Sequence, residues 1–79
     1  MKERITTLDK LKKGQKGRVI YLKNKKLLKR RLMDIGLIEG VTVECKLVSP
    51  LGDPKAYLIC GAVIAIRCED AACIGVFLI

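Results

Sequence analysis

The sequence predicts a mainly β domain, a small barrel of about five short strands with one short α-helix. Three features lead there. β-branched residues crowd the second half, where they favour strands. Glycine and proline punctuate the chain at strand-and-turn spacing. One segment only, Lys25 to Ile35, carries a convincing helical period. A sheet of so few short strands avoids bare edges best by curling on itself.

The chain has 79 residues. That length allows a single domain over 1–79 and no second core. It is 51% hydrophobic with 4% aromatics, so its packing rests on Leu, Ile and Val and argues against disorder.

Along the chain, Thr7-Leu8-Asp9-Lys10-Leu11 reads as one helical turn with Thr7 as N-cap, ended by Gly14. Leu8 and Leu11 share a face at i, i+3. Gly17 opens a strand over Arg18–Leu22. Asn24 is the N-cap candidate for the helix over Lys25–Ile35. Leu28, Leu32 and Ile35 form its apolar stripe, and Gly36 is its left-handed C-cap.

After Gly40 the period becomes two. Val41, Val43, Cys45 and Leu47 alternate with Thr42, Glu44, Lys46 and Val48, as in a half-buried strand. Ser49–Pro54 is a turn-rich loop. Lys55–Cys60 and Ala62–Arg67 are two further strands joined tightly at Gly61. On this parity Tyr57 and Ile59 face the core, while Ala56, Leu58 and Cys60 face outward. Glu69–Ala72 is a helical turn with acids at its favourable end. Gly75–Ile79 is the last strand.

Met1 to Lys13 lacks the apolar stretch of a signal peptide, and the longest uncharged run, Ala56–Ile66, is too short to span a bilayer. The expected compartment is the cytoplasm. Of 16 basic residues, 13 lie within positions 1–33 against two acids, so that part carries the positive charge. Such a patch attracts an acidic protein surface, anionic lipid or nucleic acid, and equally serves as a plain solvated face.

Catalysis finds little support. Histidine, the commonest general base and metal ligand, is absent. Ser49 is the only serine and sits in a turn. No phosphate-binding glycine loop followed by Lys-Ser or Lys-Thr occurs. The four cysteines, Cys45, Cys60, Cys68 and Cys73, contain no C-x-x-C pair. A transition-metal site for Fe2+ would use Cys60, Cys68 and Cys73 with Glu69 or Asp70. The alternative is that the thiols pack as small hydrophobes. Nucleic-acid binding would rest on charge alone, since Tyr21, Tyr57 and Phe77 form no recognised base-stacking motif.

The stretch Arg30-Arg31-Leu32-Met33-Asp34-Ile35-Gly36-Leu37-Ile38-Glu39-Gly40, running directly into a strand, resembles the FeoA family of ferrous-iron-transport accessory proteins. The loop Pro50-Leu51-Gly52-Asp53-Pro54, followed by Gly61 and a strand ending in Arg67, is a second matching motif. Leu8-x-x-Leu11-x-x-Gly14 also fits, so the resemblance runs from about Thr7 to Val76. It implies an SH3-like barrel, with Leu32 and Ile35 anchoring the helix. It further implies a non-catalytic cytoplasmic module, peripheral at the inner face of the membrane. The implied partner is the membrane-bound, GTPase-containing ferrous-iron transporter FeoB. The expected partner-binding residues are the basic helix, Lys25, Lys26, Lys29, Arg30 and Arg31, together with Leu58 and Cys60. The family usually carries polar residues on the outward face where this chain has Ala56, Leu58 and Cys60. That face is expected to be either an interaction patch, for the transporter or for self-association, or a surface covered by the apolar tail Gly75–Ile79.

Overall fold

The structure is a computed structural model that describes residues 4–79. Its strands are β1 (Ile5–Thr7), β2 (Lys16–Leu22), β3 (Thr42–Val48), β4 (Lys55–Ile59), β5 (Ala62–Ile66) and β6 (Ile74–Leu78). Helix α1 spans Lys26–Asp34 and the single-turn helix α2 spans Cys68–Ala71, with a 3-10 turn over Leu8–Lys10. The strands form one antiparallel sheet in the order β1-β6-β2-β3-β4-β5. The sixth strand is β1, which sequence reading missed. It is three residues long, and Thr7 looks like the start of a helix. Thr7 makes no capping bond to the backbone, and its hydroxyl instead donates to the Asp9 carboxylate.

The sheet curls until β4 reaches the turn that follows β1. Lys55 Nζ, on β4, donates to the carbonyls of Asp9 at 2.6 Å and Leu11 at 3.1 Å. Tyr57, also on β4, donates its hydroxyl to Leu8 O at 3.3 Å. These bonds tie the fifth strand of the order to the turn that follows the first, closing a small barrel. Leu8, Leu11, Val19, Leu37, Val43, Cys45, Tyr57, Ile59, Ile74 and Val76 fill it with essentially no exposure. Tyr57 and Ile59 face inward as the strand period requires.

Two bulges break that period. One lies between Val19 and Tyr21 on β2 and brings Leu22 into the core. The other lies between Cys45 and Leu47 on β3. Sequence parity places Leu47 beside Cys45 in the core. The extra residue at Lys46 reverses the side-chain sense, and Leu47 stands outside, 57% exposed. Gly75 on β6 is required by close approach, because a Cβ there would lie 2.0 Å from a ring carbon of Tyr21, its cross-strand partner.

The N-cap of helix α1 is Lys25, not the expected Asn24, and no side chain caps the helix. Asn24 is diverted, since its Nδ2 donates to Asp70 O at 2.9 Å. At the other end Gly36 takes φ +100. Leu37 N–H then bonds Leu32 O at 2.9 Å and Gly36 N–H bonds Met33 O at 3.0 Å. These are the paired bonds of a Schellman cap. The cap swings Leu37 into the core and leaves Ile35, expected as an anchor, 40% exposed. Leu32 and Leu37 hold the helix to the barrel, with Leu28 at the margin.

Candidate partner-binding surfaces

Lys25, Lys26, Lys29, Arg30 and Arg31 all lie exposed on α1 or at its start. No acidic residue occupies the first turn, so Lys25 and Lys26 sit against the positive end of the helix dipole. Among the described residues the only ion pair joins Lys46 Nζ to Glu44 Oε2 at 3.6 Å, on β3. The helix cations therefore have no acidic partner among the described residues. Charge repulsion along α1 is opposed mainly by the burial of Leu32 and Leu37.

Leu58 points away from the core and is half-buried. It lines a shallow depression with Lys16, Thr42, Glu44, Cys60 and Gly61. Cys60 and Gly61 form the two-residue turn between β4 and β5, with φ +49 and +86, as a type I′ hairpin demands. Cys60 is exposed there, and its Sγ donates to Gly36 O at 3.5 Å. The end of α1 and the hairpin tip thus touch. A Cβ on Gly36 would lie 2.7 Å from that sulfur.

The apolar tail does not cover the Leu58 face. It forms β6, inserted between β1 and β2, with Val76 in the core. The outward face is also larger than sequence reading gave. Leu47, turned outward by the bulge, joins Ala56 and Ala65 in one cross-strand row, and Val63 stands opposite Leu58 in the next. Leu47 and Val63 are more than half exposed.

The structure does not assemble the proposed thiol cluster. Cys60 lies before β5 and Cys68 after it, so the strand holds them at opposite ends. Cys73 follows α2, with its Sγ near Glu69 O at 3.8 Å. Among the described residues no group of three His, Cys, Asp or Glu side chains is placed to hold a metal ion. Cys68 serves the second sequence motif instead. Its N–H donates to Asp53 Oδ1 at 2.9 Å and its Sγ to Gly52 O at 3.3 Å. The Leu-Gly-Asp-Pro loop is thereby fastened to the first residue of α2, and Asp53 acts as a cap supplied from a distant loop.

These environments rank the thiols. Burial raises the pKa of Cys45, offset only in part by Lys55. Desolvation raises that of Cys68, followed by the charge of Asp53. The thiolate is the reactive form. At mildly alkaline pH a water-soluble thiol reagent is expected to modify Cys60 first and Cys68 more slowly. Cys45 should react only at the rate of unfolding. Peptide mapping over time checks the order, and early labelling of Cys45 would contradict the core placement.

Comparison with known proteins agrees with this architecture. The FeoA domain family model matches residues 6–77. A Fe(2+) transport protein A/Fe(2+) transporter FeoB fusion protein of Porphyromonas gingivalis is 31% identical over 72 residues. The match covers 91% of this chain and 8% of that protein, so the chain spans a small part of the relative's length. The FeoA protein of Chlorobium tepidum superposes with a TM-score of 0.90 at 31% identity, covering 94% of this chain and 70% of that one. The zinc complex of Stenotrophomonas maltophilia FeoA, described as a prokaryotic SH3 domain protein, superposes with a TM-score of 0.76 at 23% identity. It covers 90% of this chain and 88% of that one, and at such identity the likeness concerns the fold, an SH3-like barrel. With both sequence motifs inside the matched span and the barrel in common, this chain belongs to the FeoA domain family.

Proposed function

We propose that this chain is a non-catalytic docking module of ferrous-iron transport that binds the cytoplasmic GTPase region of an FeoB-type transporter. The observation that carries the reading is the row of exposed cations on α1, without acidic partners among the described residues, which fits an acidic surface. The Porphyromonas gingivalis relative supports the choice of partner, because there a transport protein A and FeoB are one chain. The depression around Leu58 and Cys60 adds apolar contact beside the helix end. Fe2+ is taken as the cargo of the transporter, since among the described residues Cys60, Cys68 and Cys73 are not brought together with acids to hold it. Nucleic acid is a poorer fit, because Tyr57 is fully buried and Tyr21 lies over Gly75, leaving few rings for base stacking. No helix among the described residues is long and apolar enough to cross a membrane. The module sits in the cytoplasm and reaches the inner face of the membrane through its partner.

The test is Lys25→Glu, Lys26→Glu and Lys29→Glu together, titrated against the transporter's soluble GTPase region. Acids at this end of the helix complement its dipole, so a binding loss is not explained by unfolding. Affinity should fall about tenfold or more, and the salt dependence of wild-type binding should shrink with it. Unchanged affinity in the triple variant would sink the role given to the helix.

A further inference from the structure

The sheet has two edges, and they differ. β1 is three residues long and follows Arg4, a charge that discourages pairing. β5, at the other edge, is Ala62-Val63-Ile64-Ala65-Ile66, with no charge, proline or bulge. None of the usual devices that protect an edge strand is present.

The hairpin geometry fixes which backbone groups are free. Ile59 and Ala62 flank a two-residue turn, so they exchange backbone hydrogen bonds, as do Tyr57 and Ile64 two residues on. Val63 and Ala65 therefore direct their N–H and C=O groups away from β4. Among the described residues no other backbone or side chain bonds to either of them.

We propose that β5 pairs antiparallel with β5 of a second copy of this chain, about a two-fold axis at Ile64. In that register Val63 faces Ala65 of the other copy and Ile64 faces its own mate. The free groups of Val63 and Ala65 match, and about four backbone hydrogen bonds form. The pairing is isologous and closes as a dimer, with no tendency to extend into a filament. Side chains agree with it. On the outer face the row Leu58–Val63 continues across the axis into Ala65, Ala56 and Leu47 of the second copy, all uncharged.

Charge favours the same occupant. The positive charge of the chain is concentrated in residues 1–33, whereas residues 42–66 hold Lys46 and Lys55 against Glu44 and Asp53. Two copies meeting at β5 join their neutral sides and keep their basic helices for other contacts. A five-residue edge is a small interface, so the dimer is weak and forms only as concentration rises.

Amide hydrogen exchange and sedimentation, each measured over a wide range of chain concentration, test this. The amides of Val63 and Ala65 should exchange freely in dilute solution and become protected as dimer forms. Ala65→Pro removes an outward N–H and leaves the β4–β5 bonds intact, while Val63→Lys places a charge on the edge. Both variants should keep the wild-type amide spectrum elsewhere and sediment as monomers where wild type is dimeric. A dimer that persists in both variants, or that leaves those two amides unprotected, overturns the proposal. So does a monomer at all concentrations whose edge amides gain protection only on adding the transporter's GTPase region.

Discussion

Replacing Tyr57 with alanine is expected to unfold most of the domain at room temperature. Tyr57 is the largest fully buried side chain, and its hydroxyl holds Leu8 O across the closure of the barrel. Losing a buried aromatic of this kind costs about 3–5 kcal/mol. A core of this size rarely supplies more than about 3–5 kcal/mol in total, so the loss takes all or most of it. Tyr57→Phe is the control, because it keeps the ring and removes one hydrogen bond, at about 0.5–1.5 kcal/mol. Urea titrations followed by amide spectra distinguish the two. Burial also raises the pKa of the Tyr57 hydroxyl well above its ordinary value. The unfolded state then loses this proton more readily than the folded one, so stability falls as the medium turns alkaline past the ordinary tyrosine pKa. Tyr57→Phe should lose that part of the alkaline dependence. A Tyr57→Ala protein with a wild-type urea midpoint would contradict the barrel closure described here.

Gly36→Ala should have the next largest effect, through two causes that can be separated. The position takes φ +100, where a side chain costs about 1–3 kcal/mol. The added methyl also meets the Cys60 sulfur, so the hairpin tip must move off the helix end. Cys60→Gly removes that sulfur and relaxes a non-glycine residue at φ +49. In the Cys60→Gly background, Gly36→Ala should therefore cost less, retaining only the backbone part. A double-mutant cycle of urea midpoints measures the difference, and strict additivity would mean that helix end and hairpin tip do not press on one another.

What the sequence made legible follows from the range of each interaction. The helix and its stop at Gly36, the inward Tyr57 and Ile59, and the tight join at Gly61 are written in neighbouring residues and were readable, although Cys60, expected to end the strand, belongs to the turn. The errors came from shifts of a single residue. Lys46 bulges, and Leu47 leaves the core. Gly36 reverses the chain, so Leu37 replaces Ile35 as anchor. Asn24 bonds Asp70, a residue far along the chain, and gives up the cap it resembles. At the candidate surface the exposed cations of α1 were legible because charge alone predicts exposure. The approach of Cys60 to Gly36 and the apolar row from Leu47 to Ala65 were not. The first joins segments 24 residues apart, and the second depends on a bulge with no sequence mark.

The position of β6 carries a consequence for synthesis. β2, β3, β4 and β5 are neighbours in the sheet as they are in the chain, so each can pair as soon as the next emerges from the ribosome. β1, made first, has β6 as its only strand neighbour, and β6 is the last of the described strands to be made. Until then β2 also lacks its second neighbour, and the interior residues Ile74 and Val76 are not yet in place. The nascent domain therefore waits as a four-stranded meander with one side of β2 open. The strand that ends this exposure is itself almost wholly apolar, so its arrival seals the interior and the vulnerable edge in one event.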